Sequence, residues 1–176
     1  MAEVEYGAEG PETRLSAPVP LTAEHDLSAF DCGEPALNDW LKYRALKNES
    51  RFSRTYVVCK GNRVVAYFCI SAGAVERAAA PGKVRRNAPD TIPVSVIGRL
   101  AVSGDHAGKG LGAAILSDAL RRIAVASQSI GIGAVLVHAK DDDAKQFYRK
   151  CADFIEYPAD SRILFLSIET VIAAFN

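Results

Sequence analysis

The chain has 176 residues, 49% of them hydrophobic and 24% charged, and its 21 acidic side chains balance 21 basic ones. This is the make-up of one globular domain large enough to bury a core; no apolar run is long enough to span a bilayer, and no basic-then-apolar segment marks a secretory leader. Cys32, Cys59, Cys69 and Cys151 stand singly, with no Cys-x-x-Cys pair and only three histidines in the chain, which argues against a metal centre or a disulfide framework and for buried free thiols in a reducing cytoplasm.

The neutral total hides a lopsided distribution. Residues 1–13 carry Glu3, Glu5, Glu9 and Glu12 with no base and no periodicity, and read as a mobile N-terminal segment ahead of a single domain over 14–176. Residues 42–54 carry Lys42, Arg44, Lys47, Arg51 and Arg54 against Glu49 alone, and 77–90 carry Arg77, Lys83, Arg85 and Arg86 against Asp90. Basic patches therefore coexist with zero net charge.

In chain order, residues 15–21 are broken by Pro18 and Pro20 and can form at most an edge strand. Residues 21–33 read as a short capped helix and a turn. Glu34-Pro35 opens a longer helix holding Leu37, Trp40, Leu41 and Leu46, with proline in the first turn, where its missing N–H does no harm. Strands over 54–60 and 63–74 are joined by Gly61-Asn62, a hairpin signal. A long polar loop over 76–90 comes next, of the kind found near binding sites. A strand over 92–102 then runs through a short connector into a helix. Another strand at 131–139, a helix at 144–151 capped by the acids 141–143, and final strands at 154–157 and 162–168 complete the reading.

The informative stretch is the junction after the 92–102 strand. His106-Ala107-Gly108-Lys109-Gly110-Leu111-Gly112 leads into a helix whose Leu111, Ile115, Leu116, Ala119, Leu120 and Ile123 share one face. Alternating glycines let main-chain N–H groups approach an anion at a helix N-terminus, so the loop suits a diphosphate. A dinucleotide-binding loop belongs after the first strand of a chain, and a Walker loop needs Gly-Lys-Ser/Thr, whereas Lys109 precedes Gly110.

The stretch resembles the Gcn5-related N-acetyltransferase (GNAT) family, whose signature Gln/Arg-x-x-Gly-x-Gly/Ala is matched at both glycines by residues 107–112, with Ala107 in the first position. The second signature of that family, an Ala followed by Phe-Tyr, resembles Ala144 to Phe154 here, with Asp153 in place of glycine and Asp141 in place of the frequent Asn. The resemblance implies an α+β fold: a mixed, mostly antiparallel sheet, splayed at two parallel strands and flanked by helices. It implies acetyl-CoA as co-substrate, held by the main chain of Ala107, Gly108, Lys109, Gly110, Leu111 and Gly112 and, in the splay, by Leu100, Ala101 and Val102. It further implies Tyr148 as the group that returns a proton to the departing thiolate. His138, His106 and His25 are weaker candidates, read as a strand, a loop and a cap or surface residue.

No strong general base is evident. A lysine amine, with a pKa of about 10.4, stays charged at neutral pH, while an α-amino group at about 7.7 to 8.0 is partly neutral, so the missing base favours an α-amino acceptor. The stretch from His25-Asp26 to Phe30-Asp31-Cys32-Gly33, then Ser53 to Val57, then Gly98-Arg99-Leu100-Ala101-Val102, is similar to the acetyltransferase toxins of type II toxin and antitoxin pairs. That likeness implies aminoacyl-tRNA as the acceptor, translation as the target, Arg85, Arg86 and Arg99 as residues facing tRNA, and a small ribbon-helix-helix antitoxin as partner; it allows a homodimer. An acetyltransferase of a protein N-terminus, lysine or small amine, and a non-enzymatic acetyl-CoA binder, remain as alternatives.

Overall fold

The computed structural model describes residues 14–176; the expected mobile segment at 1–13 lies outside the described residues. Seven strands form one sheet in the order β1-β2-β3-β4-β5-β7-β6. They are β1 (Val19–Pro20), β2 (Arg54–Lys60), β3 (Arg63–Glu76), β4 (Thr91–Val102), β5 (Ala134–His138), β6 (Ile155–Tyr157) and β7 (Asp160–Ser167). Among these strands only the β4–β5 pair is parallel. Parallel strands need a crossover, and α4 (Leu111–Ala126) supplies it. The α+β sheet splayed at two parallel strands is thus the observed architecture.

Two apolar layers sandwich the sheet. On one face α4 buries Ile115, Leu116, Ala119, Leu120 and Ile123 against Phe68, Ile97, Val135 and Val137. Each of the leucine and isoleucine side chains contributes about 1.5 to 3 kcal/mol on burial, so this face anchors the loop that precedes it. On the other face α1 (Pro35–Tyr43) places Trp40 and Leu41 on Val57, Tyr67 and Ala101.

Several expectations over these residues need correction. The helix expected at 21–33 does not form. Asp26 instead makes a local turn, accepting from the Ser28 N–H (3.0 Å) and hydroxyl (2.6 Å), while its own N–H and C=O bond Asn62 and Val64. A side chain that offers the backbone local partners competes with helix formation. The helix expected from residue 34 breaks at Arg44 (φ −119°, ψ −36°) into α1 and α2 (Ala45–Asn48); Ala45 is buried and Leu46 is left exposed. The 76–90 loop contains a 3₁₀ turn and α3 (Gly82–Arg85). The fifth strand is shorter than read, and a helix, α6 (Ile168–Ala174), follows the last strand, which the sequence reading closes at residue 168 without a helix. Of the four thiols, Cys59 and Cys69 are buried but Cys151 is exposed.

Candidate active site

The site begins with a glycine in β4. Along β3, Ile70 pairs with Ile97 and Cys69 with Arg99, so Gly98 is an extra residue in the ladder, a β-bulge. A bulge bends its strand and re-aims the side chains beyond it. Ile97 packs in the α4 layer, whereas Ala101 packs in the α1 layer. Parallel pairing with β5 ends at Ile97, opposite Val137, and the remainder of β4 pairs with β3 alone. Beyond Gly98 the two parallel strands part.

Which amides face the gap is set by alternation. The Ser103 N–H donates to the Val65 carbonyl on β3 at 2.8 Å. Main-chain groups in a strand alternate between neighbours, so the N–H groups of Ala101 and Arg99 also address β3. Those of Leu100 and Val102 turn to the gap. Of the three residues expected to line the splay, two offer an unpaired amide, and Ala101 does not.

The loop lies at the mouth of this gap. Gly108 (φ 73°) and Gly110 (φ 83°) adopt left-handed backbone, which side chains disfavour, and Gly110 caps α4. Ala114 is the first amide of α4 to bond main chain, donating to Gly110 at 3.1 Å; among the described residues the amides from Gly108 to Ala113 find no acceptor. A Cβ on Gly108 or Gly110 would meet nothing within 4 Å, so their missing side chains leave open room. Free N–H groups at the positive end of a 16-residue helix, with space above them, fit a diphosphate. Lys109 shares this surface; burial, and behind it the charges of Lys109, Lys60 and Arg63, lower the pKa of His106. These features fit the coenzyme that the resemblance implies.

Tyr148 comes from α5 (Asp142–Cys151), whose N-terminus is capped by Asp141: its carboxylate accepts from the Ala144 N–H at 2.8 Å. The acids at 141–143 therefore serve the helix. The phenol ring packs between Phe147 (5.3 Å) and Phe154 (5.7 Å) and is 7% exposed. Burial, and behind it the nearby Cys69 and Cys151 thiols, push its pKa up to about 12. Cys69 in turn sits against the bulge, its sulfur 3.4 Å from where a Gly98 side chain would begin. The phenol is thus held protonated, on the side of the sheet where the strands diverge. Phe147 also lies 3.4 Å from the Cβ position of Gly112, so α5 packs against the start of α4.

Of the expected tRNA-facing residues, Arg99 stands beside the gap, its guanidinium 4.3 Å above the Trp40 ring. Arg85 and Arg86 are exposed at the end of α3, ahead of Thr91. Arg99 lies eight residues along β4 from Thr91, a rise of roughly 26 Å. The structure therefore does not bring these basic residues together. His138 is exposed at the end of β5, and the His25 Nδ1 accepts from the Thr22 N–H at 3.0 Å in a surface turn. A groove of about 500 Å³ opens elsewhere, between the C-terminal half of α4 and the far ends of β3 and β4. Its Arg122 is already engaged by Asp118 (2.7 Å), the Pro18 carbonyl (3.1 Å) and the Tyr56 ring (3.9 Å). Sequence reasoning missed Gly98 and Trp40. A lone glycine inside an apolar strand is a bulge signal that could have found the first; nothing in the spacing of Trp40 announces its partner.

The profile of the acetyltransferase (GNAT) family matches residues 21–154. A tRNA-acetylating toxin of Mycobacterium tuberculosis (strain ATCC 25618 / H37Rv) is 46% identical over 134 residues, 76% of this chain and 81% of that protein. The structure of AtaT complexed with acetyl-methionyl-tRNAfMet superposes with a TM-score of 0.84 at 30% identity, over 93% of this chain and all of that one (100%). That of a tyrosine-to-phenylalanine variant of the AtaT toxin, bound to the C-terminus of the antitoxin AtaR and acetyl-CoA, gives 0.79 at 29%, over 92% and 98%. With the splayed sheet, the glycine loop and the match over most of its length, the chain belongs to the GNAT family of acetyltransferases, which use acetyl-CoA.

Proposed function

We propose that this protein is the toxin of a type II toxin–antitoxin pair, an enzyme that moves acetyl from acetyl-CoA to the α-amino group of aminoacyl-tRNA and thereby stops translation. The 46% identity to a tRNA-acetylating toxin carries the choice of acceptor. In this reading the amides of 108–112, with the N-terminus of α4, hold the diphosphate, whereas the Ala107 N–H already donates to the Gly104 carbonyl at 3.3 Å; the Leu100 and Val102 amides line the gap beyond it. Acetyl-CoA supplies the acetyl group as a thioester, whose C–S bond breaks as the amine nitrogen bonds the acyl carbon. The Tyr148 hydroxyl, kept protonated by burial, gives its proton to the departing sulfur, and the proton shed by the amine replaces it. Amides already in place at a developing negative charge need no reorganisation.

The lack of a strong base fits an acceptor that is partly neutral at pH 7, as an α-amino group is. Arg99 faces the acceptor end, while Arg85 and Arg86 meet phosphates further along the RNA. The same reading places the protein in the cytoplasm, where charged tRNA is made, restrains it with a small ribbon-helix-helix antitoxin, and makes it a homodimer. Exposed Phe52 (70%) and Ile130 (61%), beside the groove near Arg122, offer apolar surface for the second copy.

The test is incubation with labelled acetyl-CoA and charged tRNA, then release and identification of the N-acetylated amino acid. Label on the aminoacyl group supports the proposal. Label that passes only to a protein N-terminus, a lysine or a small amine refutes this acceptor.

A further inference from the structure

Arg99 occupies an unusual position. Because Gly98 is bulged, the side chain at 99 turns to the α1 layer rather than accompanying Ile97 into the α4 layer. There it meets a stack of rings. Its guanidinium lies 4.3 Å over Trp40, Trp40 lies parallel to Tyr67 (6.0 Å between centroids, 11° between planes), and Tyr67 meets Phe30 edge-on at 5.5 Å. The Tyr67 hydroxyl donates to the Leu37 carbonyl of α1 at 2.8 Å, which fixes the stack to that helix. The rings are all buried, so the arginine is held by a rigid support.

Yet no carboxylate pairs with Arg99 among the described residues. A half-buried guanidinium with one face on an indole and no anion is a receptor awaiting one. Its main chain adjoins Leu100, whose amide faces the gap, so the side chain springs from the strand that borders the gap. An aminoacyl ester has no free carboxylate to offer. The anion of that substrate nearest its amine is the 5′-phosphate of the terminal nucleotide, and a guanidinium fork matches phosphate oxygens in pairs.

We infer that Trp40 holds Arg99 as a receptor for the phosphate of the terminal nucleotide, and that this pair positions the aminoacyl ester over the gap. Arg99 touches the substrate, and Trp40 acts through it. The inference rests on the proposed acceptor but is separable from it. Arg85 and Arg86, at the other end of β4, cannot supply this contact.

The experiment compares two small acceptors that differ by one group: the 3′-aminoacyl esters of adenosine 5′-phosphate and of adenosine. The wild type prefers the phosphate-bearing ester by about tenfold or more in kcat/KM, seen mainly in KM. In Arg99→Gln the preference falls to near unity. Arg99→Lys retains part of it, since a point charge lacks the fork, and Trp40→Leu reduces it while Arg99 is still present. Arg99→Gln, a change at a half-exposed side chain, keeps the test alive if Trp40→Leu misfolds. A preference that survives Arg99→Gln overturns the inference. So does equal use of both esters by a wild type that acetylates full-length charged tRNA, an outcome that leaves the proposed function intact. Transfer to no aminoacyl ester at all overturns both.

Discussion

Tyr148→Phe isolates one oxygen. The ring contacts with Phe147 and Phe154 remain, and among the described residues the hydroxyl makes no hydrogen bond that would be lost. The fold should therefore be unaffected to within about 0.5 kcal/mol, the usual range for a change that opens no cavity and orphans no partner. Catalysis should suffer far more, because a positioned proton donor contributes about 10²- to 10⁴-fold, or roughly 3 to 5 kcal/mol in the barrier. The assay is single-turnover acetyl transfer to charged tRNA at saturating acetyl-CoA, with calorimetric acetyl-CoA binding and a thermal melt as controls. The variant should bind the coenzyme as the wild type does, melt at the same temperature and transfer acetyl at least 100-fold more slowly. A rate within threefold of wild type would remove Tyr148 from the mechanism. A large fall in melting temperature would show that the phenol is structural.

The raised pKa of Tyr148 makes a second claim: the folded state disfavours the phenolate, so stability present below pH about 10 is lost as pH rises towards about 12. Alkaline unfolding monitored by circular dichroism should be shifted upward in Tyr148→Phe, and an unshifted curve would contradict the burial argument. Gly110→Ala places a side chain in open space but on left-handed backbone, at a cost of about 1 to 2 kcal/mol. Calorimetry should show weaker acetyl-CoA binding, and unchanged affinity would remove the loop from the coenzyme site. Asp141→Ala removes the cap of α5 and should cost about 1 kcal/mol in urea unfolding and slow transfer by loosening Tyr148; a variant as stable and active as wild type would deny the cap that role. Arg85→Gln with Arg86→Gln should lower the slope of log affinity for charged tRNA against log salt by about 2, one per phosphate lost. A slope equal to the wild type's would mean that neither meets RNA.

Much of the fold was legible because its strands obey simple alternation. β2 and β3 lie where Gly61-Asn62 divides two β-branched runs, and α4 shows its buried face in its spacing. The failures share one cause, tertiary contacts that local pattern does not encode. Residues 21–33 carry helix-like spacing, but Phe30 is drawn into the core, 1% exposed, and Asp26 bridges to Arg63. Residues 168–174 continue the apolar run of β7. Only Ser167, whose hydroxyl accepts from the Thr170 N–H at 3.3 Å, marks the switch to helix. At the site, the glycine loop and Tyr148 could be singled out from their neighbours in sequence. The lone glycine at 98 flags a bulge, but that Leu100 and Val102 and not Ala101 face the gap depends on a register with β3 that no local pattern fixes.

The most direct test of the account is a crystal structure with acetyl-CoA bound. It should show diphosphate oxygens within about 2.7 to 3.2 Å of amides of residues 108 to 113, the thioester in the gap beside Leu100 and Val102, and the Tyr148 hydroxyl turned to its sulfur. Coenzyme lodged in the groove beside Arg122 and Ile130, or a phenol pointing away from the sulfur, would contradict it.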